Sequence, residues 1–132
     1  MTMPISISRY LAIALGILTP LAETIRRWHT WRENPPAFFD DYIIGGLLLF
    51  GAWRVGKDVQ RGRPFLAAAW AFMCGMAYPS FFGQLEANRL GIADPAPISS
   101  GAVAAIKGAG LIIGVICLVF TLWPIRQPDK HT

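Results

Sequence analysis

The stretch Ser99 to Trp123, SSGAVAAIKGAGLIIGVICLVFTLW, decides the fold. It runs for 25 residues with one charge, Lys107. Coiled as a helix it would reach about 37 Å, and a bilayer core of about 30 Å needs roughly 20 residues. In hydrocarbon no water is present to pair with an open N–H or C=O, so such a segment must satisfy itself as a helix. A barrel is excluded because alternation is absent and at least about eight strands would be needed.

Three further segments have the same character. Pro4 to Ala22 is interrupted only by Arg9, Pro35 to Gly56 follows, and Pro64 to Phe82 is the third. The expected fold is therefore all-α, an integral membrane four-helix bundle with four transmembrane helices. Its spans fall at about 4–22, 35–56, 64–82 and 99–123, in one domain covering residues 1–132. The second span is the weakest, because its strictly apolar part runs only from Tyr42 to Trp53, which puts Asp40 and Asp41 near its end. Composition agrees with lipid as the solvent: 54% of the residues are hydrophobic and 15% charged, where soluble domains carry about 25% charged residues.

Local signals set the boundaries. Asn34 before Pro35-Pro36 reads as a cap followed by prolines in the first helical turn. Pro64 starts the third span in the same way, Ser99 or Ser100 caps the fourth, and Pro124 and Pro128 end it. The first segment reads as a retained span rather than a leader, since it lacks a basic region ahead of its apolar run and Thr19-Pro20-Leu21-Ala22 is a poor cleavage site. Glu23 to Glu33 should continue the first helix or lie along the surface, with Ile25, Trp28 and Trp31 toward lipid.

Positive charge stays in the cytoplasm. Seven basic residues fall on one side (Arg9, Arg54, Lys57, Arg61, Arg63, Arg126 and Lys130) and four on the other (Arg26, Arg27, Arg32 and Arg89). Both termini are thus expected inside, in the inner membrane of a bacterium, with the two longer loops facing the periplasm. Trp53 and Trp123 suit the inner interface and Tyr42 the outer one.

Membrane helices associate through close backbone approach. Ala67, Ala71, Gly75, Pro79 and Gly83 form a stripe at four-residue spacing, Gly101, Ala105 and Ala109 form another beside the pairs Ala104/Gly108 and Gly110/Gly114, and the second span offers Ala52 and Gly56. These stripes predict that the third and fourth spans pack as an antiparallel hairpin, or that some of these faces serve a homo-oligomer. Pro79 should bend the third span, and Tyr78, Ser80 and Gln84 are candidates to line a cavity there.

Ionisable groups at membrane depth mark candidate sites. Lys107 lies about 12 Å below the start of the fourth span. Asp40, Asp41, Glu23 and Glu86 approach from the same side, and Asp40 or Asp41 matches its depth best. Neighbouring residues on a helix diverge by about 100°, so Asp40 and Asp41 should not share one metal ion. The structural alternative is a buried ion pair that fixes helix register.

Known chemistries find no support. His29 and His131 fall on opposite sides, which excludes a bis-histidine haem. Cys74 and Cys117 have no metal-binding spacing, and no phosphate loop, dinucleotide or nucleophile-elbow motif occurs. No cofactor, metal or nucleic acid is expected, and an active site is not. Small multidrug transporters carry a carboxylate in the middle of their first helix, whereas Leu11 to Ala22 has none. Fluoride channels carry intramembrane asparagines with paired phenylalanines, and Phe81-Phe82 with Gln84 and Asn88 does not reproduce that pattern. Two functions fit: an accessory subunit or self-associating interaction protein whose partners are lipid, further copies or a larger membrane complex, and a small-solute or ion transporter or channel using the periplasm-facing lysine–aspartate cluster.

Overall fold

The computed structural model describes residues 2–30, 32–33, 35–94 and 98–124. They form four α-helices: α1 (Met3–Arg27), α2 (Pro35–Lys57), α3 (Val59–Arg89) and α4 (Ser100–Leu122). The expected cap Asn34 and the residues Trp31, Arg126, Pro128, Lys130 and His131 lie outside the described residues. Each helix packs on its neighbours in chain order, and α4 closes the ring against α1 with the least extensive contact of the four. The terminal end of the bundle carries the start of α1, the α2–α3 turn and the end of α4. The loop end carries the other two connections.

Three helices, α1, α3 and α4, are long and apolar enough to cross a membrane. The remaining expected span, α2, is not among them. Asp40 and Asp41 near its start and Arg54 near its end leave too short an apolar run between them.

Two boundaries also move. Asp58 caps α3, its side chain accepting from the Arg61 amide at 3.2 Å. The helix therefore starts at Val59, and Pro64 lies inside it. At its other end α3 runs on to Arg89, where Gly91 adopts a left-handed φ of 71°. There Ile92 N–H reaches Ala87 O and Gly91 N–H reaches Asn88 O, the hydrogen bonds of a glycine-terminated helix end. Ser99 caps α4 as expected, accepting from the Ala102 amide at 3.1 Å. No basic residue lies in the last turn of α4. Arg63 of α3 serves instead, donating to the carbonyls of Thr121 at 2.6 Å and Trp123 at 2.7 Å.

Small residues do set the helix spacing, through the expected Gly108 and Gly114 of the fourth span and through glycines of the first two helices rather than through the two longer stripes. A Cβ added to Gly45 of α2 would meet Gly16 O of α1 at 2.6 Å, and one added to Gly51 would meet Leu66 Cα of α3 at 2.8 Å. On α4, Gly108 lies against the Phe81 ring and Gly114 against Cys74 Sγ. Gly101 approaches only the Asn88 side chain, at 3.6 Å. These pairs run in opposite chain directions, so α3 and α4 are antiparallel. The stripe of α3 faces outward: Ala71, Gly75, Pro79 and Gly83 are exposed, Ala67 is half-buried, and nothing lies within 4 Å of an added Cβ at Gly75 or Gly83. Ala105 and Ala109 are exposed too. The buried face of α3 is Gly62, Leu66, Ala69, Trp70, Met73 and Gln84. Large side chains there fill the room that partner glycines leave.

The interior holds polar links that composition does not announce. Trp70 Nε1 donates to Ser8 Oγ at 2.8 Å, and Thr121 Oγ1 donates to Cys117 O at 2.6 Å. Ser8 Oγ and Thr121 Oγ1 lie 2.5 Å apart. With each hydroxyl proton used once, Ser8 donates to Thr121, so one directed chain ties α3, α1 and α4 together at the terminal end. Much of the outer surface, by contrast, is apolar: Ile17, Leu21, Ile43, Phe50, Phe72, Ile112 and Val119 are all exposed. An apolar exterior with polar contacts inside is the pattern lipid imposes.

Candidate functional site

α1 and α4 meet through Ser8 and Thr121 and part toward the loop end. Between them, bounded behind by α2 and α3, lies a cavity of about 740 Å³. Its floor is apolar, from Leu15, Ile44, Met73 and Ile113, and its upper wall carries Glu23, Asp40, Asp41 and Lys107. Three helices therefore deliver the expected cluster to one space, and Arg26 and Arg27 join it.

The pairing within the cluster is specific. Lys107 is the eighth residue of α4. Its Nζ donates to Gln84 Oε1 at 3.2 Å, and Gln84 Nε2 donates to Ser100 Oγ at 2.8 Å. Asp41 faces Glu23, with Lys107 and Arg26 in electrostatic range. The expected close pairing of Lys107 with Asp40 or Asp41 is thus replaced by an amide contact. A neutral partner leaves the ammonium charge uncompensated at short range, a costly arrangement at membrane depth.

Arg26 and Arg27, expected only as loop charges, also line the cavity. Arg26 holds Asp94 in a two-point bond, Nε to Oδ1 at 2.9 Å and Nη2 to Oδ2 at 2.6 Å. It also reaches Glu23 at 3.4 Å. The bond to Asp94 raises the guanidinium pKa above its ordinary value and straps the α3–α4 connection to the end of α1. Arg27 Nε lies 2.8 Å from Glu23 Oε1, an ion pair without an aligned hydrogen bond. The spacing of Glu23 to Arg26 and Arg27, three and four residues on one helix face, was the available signal. Asp94 gave none, because its loop position follows only from the fold.

The remaining candidates separate. Ser80 lines the cavity and Gln84 positions Lys107. Tyr78 is exposed and packs on Phe82, their ring centroids 4.9 Å apart. Glu86 is exposed and pairs with Arg89 at 2.5 Å, away from the cavity, and that bond lowers its pKa below the usual carboxylate range. Of the packing candidates only Ala109 reaches the cavity wall. Among the described residues no group of three or more His, Cys, Asp or Glu side chains is placed to hold a metal ion. Asp40 and Asp41 both line the cavity. Thr24 and Tyr42 hydrogen-bond at the α1–α2 contact beside it.

No protein-family model matches the chain, and no curated protein or solved structure proves similar to it. The site alone must carry the functional argument.

Proposed function

We propose that this chain is a small multi-pass inner-membrane transporter that receives a solute in the cavity at its loop end. The single domain crosses the bilayer four times, with both termini in the cytoplasm. Three helices are apolar enough to span on their own. The fourth span is supported by the packing of α2: it lies between α1 and α3 and presents Phe39, Ile43, Leu47, Phe50 and Trp53 outward. Orientation rests on Arg9, Arg54, Lys57, Arg61 and Arg63 at the terminal end.

One observation carries the transport reading. Lys107, Asp40, Asp41 and Glu23 converge from three helices on a space of about 740 Å³, within the size range of small-molecule pockets. A purely structural ion pair would close on itself. Here the lysine takes an amide and the aspartates take no cation among the described residues within 4 Å. The test is flux into liposomes holding the purified protein, with Lys107→Ala and Asp41→Asn beside the wild type. Flux that disappears in both variants supports the proposal, and flux that survives both removes it.

A second reading is favoured by the outward α3 stripe. Ala71, Gly75 and Gly83 leave open space where another helix could approach closely. An accessory or self-associating subunit would use this face. Cysteine cross-linking through Gly75→Cys, followed by mild-detergent purification, tests it: a stoichiometric partner or dimer supports this role, and an uncross-linked monomer refutes it.

A further inference from the structure

Resting on the solute-cavity reading, we infer that the occupant is a single-chain amphiphile with a zwitterionic, amine-bearing headgroup, and that it enters sideways from the lipid between α1 and α4. Four observations bear on this. The first is the distribution of polarity. Lys107 lies six residues above Ile113, and Glu23 eight above Leu15. The apolar floor therefore extends about 9–12 Å below the charged wall along the helix axes. A small hydrophilic ion would leave that floor in contact with water, and a hydrocarbon would leave the charges without counter-groups. A molecule with a polar head and an apolar tail answers both.

The second is the charge pattern. Arg26 is committed to Asp94 and Glu23, and Arg27 to Glu23. Lys107 keeps only the Gln84 amide, and Asp40 and Asp41 have no cation within 4 Å among the described residues. Asp41 already contacts Glu23, so what the wall offers a ligand is one ammonium, the Asp40 carboxylate and the acidic Asp41–Glu23 pair. An anionic headgroup oxygen on Lys107 and a ligand ammonium toward Asp40 and Asp41 would satisfy both signs at once. A purely anionic ligand would face the aspartates, and a purely cationic one would face Lys107.

The third is the opening. α1 and α4 make the least extensive contact of the four neighbouring pairs and are tied at the terminal end by Ser8 and Thr121. Leu18 of α1 is 53% exposed and Ile106 of α4 63% exposed, yet both line the cavity. They are the lips of a slot that faces the lipid. The Arg26–Asp94 strap lies across the loop end instead. The fourth is size. A space of about 740 Å³ equals roughly 25 waters at about 30 Å³ each, enough for a headgroup and one chain.

The experiment uses the full chain in nanodiscs of phosphatidylcholine and phosphatidylglycerol, with binding read by native mass spectrometry. Three probes are compared: a lauroyl lysophosphatidylethanolamine, laurate, and tail-free glycerophosphoethanolamine. The lyso-lipid is expected to bind one per chain, at least tenfold tighter than either comparator. Lys107→Gln and the Asp40→Asn/Asp41→Asn pair should each weaken it at least tenfold. Ala109→Trp, which fills the cavity from its wall without removing a charge, should abolish binding at unchanged helical circular dichroism. Laurate binding equally well would overturn the headgroup assignment. Tail-free headgroup binding equally well, and still dependent on Lys107, would overturn the amphiphile while leaving the cavity reading standing. Binding indifferent to all the variants, or absent for all the probes, would overturn the inference, and the liposome flux test then decides the cavity reading separately.

Discussion

Gly45→Ala is the sharpest probe of how this bundle is held together. A Cβ at that position would lie 2.6 Å from Gly16 O and 3.0 Å from Pro20 Cδ. Neither group can turn aside, since one is backbone and the other a ring. Restoring an ordinary carbon–oxygen separation of about 3.3 Å requires α1 and α2 to move apart by about 0.7 Å. A gap of that size forfeits roughly a quarter to a half of each dispersion contact across it. Overpacking of this kind costs about 1–3 kcal/mol, and with two rigid obstacles the upper half of that range applies. Alanine returns about 1 kcal/mol of helix propensity, which leaves a net loss of about 1–2 kcal/mol, or a factor of about 5–30 in the folding equilibrium. The assay is unfolding in mixed micelles at increasing SDS fraction, followed by near-ultraviolet circular dichroism. Gly75→Ala is the comparator, because open space surrounds it. In a monomeric micelle it should match or exceed wild-type stability. If Gly45→Ala unfolds no earlier than the wild type, close approach at Gly16 and Gly45 does not set the α1–α2 distance and the packing argument fails.

Three other perturbations follow from single contacts. Ser8→Ala leaves the buried Trp70 N–H without an acceptor and should cost about 1–3 kcal/mol in the same assay; Thr121→Val should cost less, because the Ser8 hydroxyl can turn to a carbonyl of its own helix. Arg63→Ala removes both donors from the Thr121 and Trp123 carbonyls, so amide hydrogen exchange should accelerate in the last turn of α4 and stay unchanged in its first, and uniform exchange along α4 would contradict the capping role. Glu86→Gln breaks only an exposed pair with Arg89, and the melting temperature should not move; a measurable drop would mean that Glu86 takes part in the cavity cluster after all.

The helices were legible in the sequence because lipid makes the rule simple: long apolar runs must coil. Lys107, Asp40, Asp41 and Glu23 were legible as one cluster because depth along a helix follows from counting residues. Counting could not give rotation about each helix axis. The five-position stripe on α3 illustrates the gap: steps of four outrun the 3.6-residue turn by about 40° each, and the stripe drifts from half-buried Ala67 to an outward face at Ala71, Gly75, Pro79 and Gly83. Leu66, Trp70 and Met73, at spacings of four and three, keep to the face that meets the neighbours. The Pro64 boundary was missed for a similar reason. Proline tolerates the first turn, but the local competitor Asp58, with its side chain on the Arg61 amide, was the stronger start signal. The Trp70–Ser8–Thr121 chain joins residues 62 and 113 positions apart in sequence, a separation that no local pattern encodes.

The cavity follows from the same physics that leaves α2 without a long uninterrupted apolar run. In water, an apolar gap between α1 and α4 would close, because closing removes surface from water. Lipid exerts no such pressure, so two helices stay together only where specific contacts hold them. For α1 and α4 the prominent contact is the Ser8–Thr121 bond at the terminal end. At the loop end both helices turn charged residues toward the shared space, and α2 adds Asp40 and Asp41. Those aspartates shorten the apolar run of α2, and its extensive packing between α1 and α3 compensates. The weak span and the charged wall are thus one feature seen twice: replacing Asp40 and Asp41 with leucine would give α2 a hydropathy fit to span alone and would remove the acidic half of the site.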